Sequence, residues 1–228
     1  RTLTKAQAVA ESLPRVGDAT HHAVAIDHTD EASIRSGFDA ALEQAGRVDV
    51  LVNNGHDVLG VDWKTVTAEQ FNRHMKNATG YFLLGRALRD HVVARRERGD
   101  ASGDAGGGAI IMIGSMYGVV GSYPDAYEGV TTASPVAYHA LKGGIIQMTR
   151  HLAVYWAKDS IRVNCLSPGP FPHERIAAEM VERLTRKSPM GRMGRPDELK
   201  GALVFLASDA ASYMTGQNLL IDGGWTAW

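Results

Sequence analysis

Residues 109–115, Ala109-Ile-Ile-Met-Ile-Gly-Ser115, set a five-residue apolar run directly against a small-residue turn. A run this short, rich in β-branched residues and apolar at odd and even positions alike, suits a parallel strand covered on both faces. The pattern recurs to either side, in His22-Ala-Val-Ala-Ile26, Val48-Asp-Val-Leu-Val52, Ile161-Arg-Val-Asn-Cys-Leu166 and Leu219-Leu-Ile221. Helix-period stretches lie between these runs. Thr29-Asp30 precedes Ile34, Phe38, Ala41, Leu42 and Ala45, which form one helical stripe. Thr67-Ala-Glu-Gln70 has the capping-box form and opens a helix to about Arg95. Ser134-Pro135 offers an N-cap and a first-turn proline for a helix to about Ala157. Arg195-Pro-Asp-Glu-Leu199 opens another that ends near Ser208. Strands and helices in alternation require crossover connections and a parallel sheet. The expected fold is α/β, a doubly wound parallel sheet in one domain over residues 1–228.

Composition narrows the function. The chain has 228 residues, 44% of them hydrophobic, enough at this length for a full core without staples. Its 24 Lys and Arg balance 25 Asp and Glu, so it lacks the footprint of a nucleic-acid binder. No apolar run reaches the ~18 residues that span a bilayer, so no membrane partner is expected. The one cysteine, Cys165, cannot form an internal disulfide, which suits a reducing cytoplasm. None of the nine histidines has metal-ligand spacing, and no metal is expected. The glycine-rich stretch 99–108 precedes a strand instead of following one, so it reads as a surface connection and not a phosphate turn. Arg95-Arg-Glu-Arg98 reads as a solvated helix end. Met112, Met116 and Met148 read as core filler.

Chemistry concentrates in Tyr138-His-Ala-Leu-Lys142, two side chains four apart on one helix face. A phenol of pKa ~10 is a poor proton carrier at neutral pH. A neighbouring ammonium favours the phenolate, so Lys142 is expected to lower the pKa of Tyr138. Ser115 ends one strand, Asn53-Asn54-Gly55-His56 another and Ser167-Pro168-Gly169-Pro170 a third. The carboxyl ends of parallel strands form the crevice where open α/β sheets bind ligands. A serine hydrolase would want G-x-S-x-G around Ser115, whereas Ile113 holds the first glycine position.

These residues resemble the short-chain dehydrogenase/reductase family, of Rossmann-like fold, from about residue 20 to the C-terminus. The likeness rests on Asn53-Asn54-Gly55, Asn77-Ala-Thr-Gly-Tyr-Phe82, Ile113-Gly-Ser115, Tyr138–Lys142, Ile161-Arg-Val-Asn164 with Pro168-Gly169, and Thr215-Gly216-Gln217 with Asp222-Gly223-Gly224. It implies an NAD- or NADP-dependent oxidoreductase acting on a small molecule. Tyr138 would be the general acid/base, and Lys142 would tune it and hold the nicotinamide ribose. Ser115 would bind the substrate oxygen, and Asn77 would position a water. Asp27, Asn53, Gly55, Pro168, Gly169 and Phe171 would line the cofactor with Tyr138 and Lys142.

The sequence also departs from the family. The Gly-rich turn that opens such enzymes has no match, and Arg1 falls just after the expected second strand. An upstream β-α-β unit of about 30 residues is therefore expected, and NAD and NADP stay open. His56 stands where the family has glycine, and Pro172-His173 where a threonine is common. Residues 121–133, between Ser115 and Tyr138, form a longer loop than usual and are expected to overhang the site. Tyr123, Asp125, Tyr127 and Glu128 on that loop point to a sugar acid or polyol, as in gluconate 5-dehydrogenase-like relatives. The alternatives are a 3-oxoacyl-carrier-protein reductase and a non-catalytic relic serving as a scaffold. The apolar excess of the two longest helices predicts a homotetramer.

Overall fold

Four parallel strands run side by side in chain order: β1 (Val50–Asn53), β2 (Gly108–Ile113), β3 (Ile161–Pro168) and β4 (Asn218–Ile221). This computed structural model describes residues 2–99, 106–172 and 176–228. Arg1, His173 and most of the glycine-rich stretch (100–105) lie outside the described residues.

Alternate side chains of the central strands build two separate cores. Ile110, Met112, Val163 and Cys165 point to one face, where they pack with α3 (Ala68–Glu97) and α5 (Val136–Trp156). Ala109, Ile111 and Leu166 point to the other, against Leu206 of α7 (Lys200–Ala207). Helices on both faces explain why β2 is apolar along its length and why β3 is buried on both faces even where it carries Asn164 and Ser167. Each fully buried aliphatic side chain, such as Leu88, Ile110 or Leu141, contributes about 1.5–3 kcal/mol.

The helix starts follow local chemistry. Asp30 caps α2 (Glu31–Ala45) by accepting from the Ser33 N–H at 2.6 Å. Thr67 and Gln70 form the capping box of α3 in both directions, at 3.2 and 2.9 Å. α5 begins one residue later than expected, because Pro135 itself takes the extended N-cap conformation and Ser134 makes no cap. The helix at 195–208 is split into a 3-10 turn, Pro196–Leu199, and α7.

Two expectations need correction, and one helix was not foreseen. Residues 22–26, expected as a strand, belong to no strand ladder. The segment has the composition of a buried strand, but pairing depends on a neighbour's backbone, and among the described residues none lies alongside it. Instead, Ile26 packs on Gly37 of α2. Arg95 is not solvated: its side chain is 6% exposed and donates to Asp49 at 2.7 Å. It falls on the same stripe as the buried Tyr81, Gly85, Leu88 and Val92 of α3, so the helical period carries it inward. Finally, α1 (Leu3–Ser12) buries no residue, so no apolar stripe announced it. Two further helices, α4 (Pro124–Tyr127) and α6 (Ala178–Thr185), flank the carboxyl ends of the strands. No helix among the described residues is long and apolar enough to cross a membrane.

Candidate active site

Strand β2 delivers Ser115 two residues past its carboxyl end. The side chain caps the short 3-10 turn Met116–Gly118, with Oγ accepting from the Tyr117 N–H at 3.1 Å. That turn lies tightly on α5. At Gly118 an added Cβ would fall 2.7 Å from the Lys142 carbonyl oxygen, so only glycine permits this approach. Ser115 and the helix that carries Tyr138 and Lys142 are thereby locked together.

The Tyr138 hydroxyl lies beside the Ser115 side chain, close enough for Ser115 to act on its pKa. Lys142 is 3% exposed, donates from Nζ to the Ile113 carbonyl at 2.8 Å, and lies 5.6 Å from the centre of the Tyr138 ring. Burial disfavours its ammonium and pulls its pKa down to about 8. The Tyr138 pKa corrects the sequence reading: it is raised, chiefly by burial, with the Ser115 side chain acting the other way. In the chain alone, desolvation outweighs any help from Lys142. The phenol is the resting form.

Asn77 sits one layer behind this group. Its Oδ1 accepts from the Asp57 N–H at 2.7 Å and from His28 Nε2 at 2.8 Å, and its Nδ2 donates to the His74 carbonyl at 2.9 Å. The side chain is engaged in tying the 55–59 loop and His28 to α3. Asn53 also faces inward: Nδ2 donates to the Tyr81 carbonyl at 3.1 Å, and Oδ1 is buried without a partner. Asp27 closes an Asx turn, accepting from the Thr29 N–H and hydroxyl at 2.9 and 2.7 Å. Gly55 is exposed beside the His28 ring. Pro168 and Gly169 end β3, where the Gly169 N–H donates to Ile221 at 2.9 Å, and the Phe171 ring packs on Gly194. Ser115, Tyr138 and Lys142 are therefore brought into contact, while the others line the strand ends on either side.

The 121–133 loop carries α4 and is pinned from two directions. The Tyr127 and Tyr117 hydroxyls meet at 2.6 Å, and Tyr123 packs edge-on to Trp225 of the C-terminal segment, 5.5 Å between ring centres. Arg183 of α6 donates to the Asp125 and Glu128 carbonyls at 2.9 and 2.6 Å. The Asp125 carboxylate is held by Lys187 at 2.7 Å, so much of the loop's acidity is already neutralised. Aromatic residues from the loop, the turn after Ser115 and the C-terminus share one cluster with Tyr138.

One participant was missed as such. The His56 ring stacks on the Tyr138 ring at 5.3 Å and 27°. Only its departure from the family's glycine signalled it. His139, by contrast, stacks on Tyr117 at 4.7 Å and turns away from this contact.

A family model described as enoyl-(acyl carrier protein) reductase matches residues 2–226. The chain is a short-chain dehydrogenase/reductase. Family membership makes it an NAD(P)-dependent oxidoreductase. Among its relatives, the galactitol 2-dehydrogenase (L-tagatose-forming) of Cereibacter sphaeroides is 35% identical over 98% of this chain and 83% of its own. A short-chain dehydrogenase of Leptospira borgpetersenii solved with NAD+ is 35% identical, with a TM-score of 0.76 over 88% of this chain and 73% of its own. A gluconate 5-dehydrogenase of Burkholderia cenocepacia solved with NADP and tartrate is 29% identical, with a TM-score of 0.80 over 99% and 81%.

The donor chemistry fits a dinucleotide. Lys142 has three N–H donors and spends one on Ile113, leaving two for ribose hydroxyls. The strand ends beside it lie where open α/β sheets take such ligands.

Proposed function

We propose that this enzyme interconverts a secondary alcohol and a ketone on a polyhydroxylated small molecule, a sugar acid or polyol, with Tyr138 as general acid/base. The contact of Ser115, Tyr138 and Lys142 at the carboxyl ends of adjacent strands carries this reading. Lys142 and Tyr138 would hold NAD or NADP together with Asp27, Asn53, Gly55, Pro168, Gly169 and Phe171. The bound nicotinamide supplies the hydride acceptor or donor.

The chain's own residues manage the oxygen and its proton. In reduction, Ser115 donates a hydrogen bond to the carbonyl oxygen, whose negative charge grows in the transition state. Tyr138, resting as the neutral phenol, gives that oxygen its proton. In oxidation, Tyr138 must first lose its proton and then accept the alcohol's. Lys142 beside it would stabilise the resulting phenolate where it carries its proton. Because burial raises the Tyr138 pKa, oxidation is expected to speed up as pH rises, and reduction to hold at neutral pH. Asn77 acts from behind by fixing the 55–59 loop.

The substrate class draws support from the named activities of the relatives and from the Tyr117–Tyr127 hydroxyl pair, which offers donors and acceptors suited to a hydroxylated ligand. A panel of polyols, sugar acids and a 3-oxoacyl thioester, each with NAD and NADP, tests it. Turnover of the thioester alone would refute the polyol reading, and no turnover of any alcohol or ketone would refute the catalytic one.

The proposal includes a homotetramer in a cytoplasmic setting. Val154 and Tyr155 of α5 are 76% and 60% exposed, and Val204 of α7 is 65% exposed, apolar surface that a two-fold partner would cover. A monomer by light scattering at micromolar concentration would rule it out. The buried thiol of Cys165 suits reducing conditions.

A further inference from the structure

The catalytic phenol has a wall that family resemblance does not supply. The His56 ring lies nearly parallel to the Tyr138 ring, 5.3 Å away. The same ring meets His74 edge-on at 6.1 Å and 74°. His74 is itself fixed, donating from Nε2 to the Leu59 carbonyl at 2.8 Å. Asn77 completes the brace by binding the Asp57 N–H next to His56. One continuous packing path thus runs from α3 through the 55–59 loop to the face of Tyr138.

The His56 ring is neutral in this setting. Its Nε2 is buried without a hydrogen-bond partner, and burial, followed by the nearby charge of Lys142, pulls its pKa down to about 4. His74 and His28 act in the same direction, and Asp57 opposes them. Around Tyr138 the other titratable neighbours are Lys142, Tyr81 on α3, Tyr117 and Tyr127 near the loop, whose pKa values are raised by burial, and His139, edge-on at 6.3 Å, whose pKa burial lowers.

We propose that His56 is a positioning residue for the reaction: its ring, stacked on Tyr138, holds the phenol against Ser115 and keeps water off it. This rests on the assignment of Tyr138 as the acid/base. A neutral wall changes hydration and orientation without adding charge, so its loss has a distinct signature. Opening one face of Tyr138 to water relieves the burial that raises its pKa.

The test uses the whole chain labelled with 13Cζ-tyrosine, the Tyr138 resonance being identified by its absence in Tyr138→Phe. His56→Ala is expected to lower the Tyr138 titration midpoint by about one pH unit, a tenfold larger phenolate fraction at a given pH below it. His56→Phe, which restores a flat ring, is expected to keep the original midpoint. In alcohol oxidation the rising limb of kcat against pH should move with the midpoint, while the plateau kcat falls several-fold and KM changes little. An unmoved midpoint in His56→Ala, or His56→Phe behaving like His56→Ala, overturns the proposal. Much tighter cofactor binding by His56→Ala with an unmoved limb would make the ring an obstruction and also overturn it. If the unsubstituted chain turns over no alcohol, the acid/base assignment fails, while the resonance titration still decides the role of His56.

Discussion

Replacing Lys142 with methionine should remove activity and yet stabilise the fold. The ammonium is 3% exposed and burial drops its pKa from 10.5 to about 8. At about 1.4 kcal/mol for each pH unit, keeping it charged in the folded chain costs on the order of 3 kcal/mol. Methionine is of similar length, carries no charge and packs well in irregular space. It forfeits the hydrogen bond to Ile113, about 1 kcal/mol, so a net gain of about 2 kcal/mol remains. In a domain of this size that is a rise in Tm of roughly 4–8 °C. The sign depends on pH in a defined way. The unfolded lysine stays protonated to higher pH than the folded one, so the cost is full below about pH 8 and fades between there and 10.5. Urea unfolding of both proteins at pH 6.5 and at pH 10 reads this directly. The gap should be largest at 6.5 and mostly closed at 10. A Lys142→Met chain no more stable at pH 6.5, or a gap that does not change with pH, would refute the claim that function holds a costly buried charge.

Other outcomes follow from the same geometry. Tyr138→Phe should lower kcat by at least ~100-fold with nearly unchanged cofactor Kd, since only the proton carrier is lost; near-normal turnover in a steady-state assay would remove the central assignment. Replacing residues 122–132 with a short Gly-Ser link should raise KM for hydroxylated substrates far more than it changes cofactor Kd, which parallel kinetic and binding titrations would show. Gly80→Ala, a change that normally favours a helix by about 1 kcal/mol, should instead destabilise the chain by about 1–3 kcal/mol through overpacking. Its Cβ would fall 1.9 Å from the His28 carbonyl, and denaturant midpoints measure the loss.

What local sequence could disclose is clear from individual elements. Asp30, Thr67 and Gln70 are capping signals that act within three residues, and the helices they open are where they predict. The four apolar runs that pair as β1 to β4 are legible in composition, but only β2 and β3 are buried as composition predicts; Val50 and Val52 of β1 are exposed and β4 is half-buried. The run at 22–26 has the same composition, but strand formation needs a partner that composition does not encode. Arg95 was misread by its charge, although its place in the helical period put it inside. The site shows the same division. The Tyr138–Lys142 spacing on one helix face brought those side chains together, and strand-end logic added Ser115. The sign of the Tyr138 pKa was not legible, because desolvation sums over everything packed nearby. The partner of His56 was equally hidden, since 82 residues separate it from Tyr138 and only folding makes them neighbours.

The seat of the 3-10 turn on α5 has an evolutionary consequence. Gly118 meets the backbone of Lys142 directly, so the spacing of Ser115, Tyr138 and Lys142 is set by main-chain contact between two rigid pieces. The 121–133 segment leaves one piece and returns to the other, and no residue of it takes part in that main-chain contact. It can lengthen, shorten or exchange its aromatic residues while the proton-handling group stays in place. In such a scaffold, new substrates are reached by editing one excursion of chain, and the chemistry is inherited unchanged.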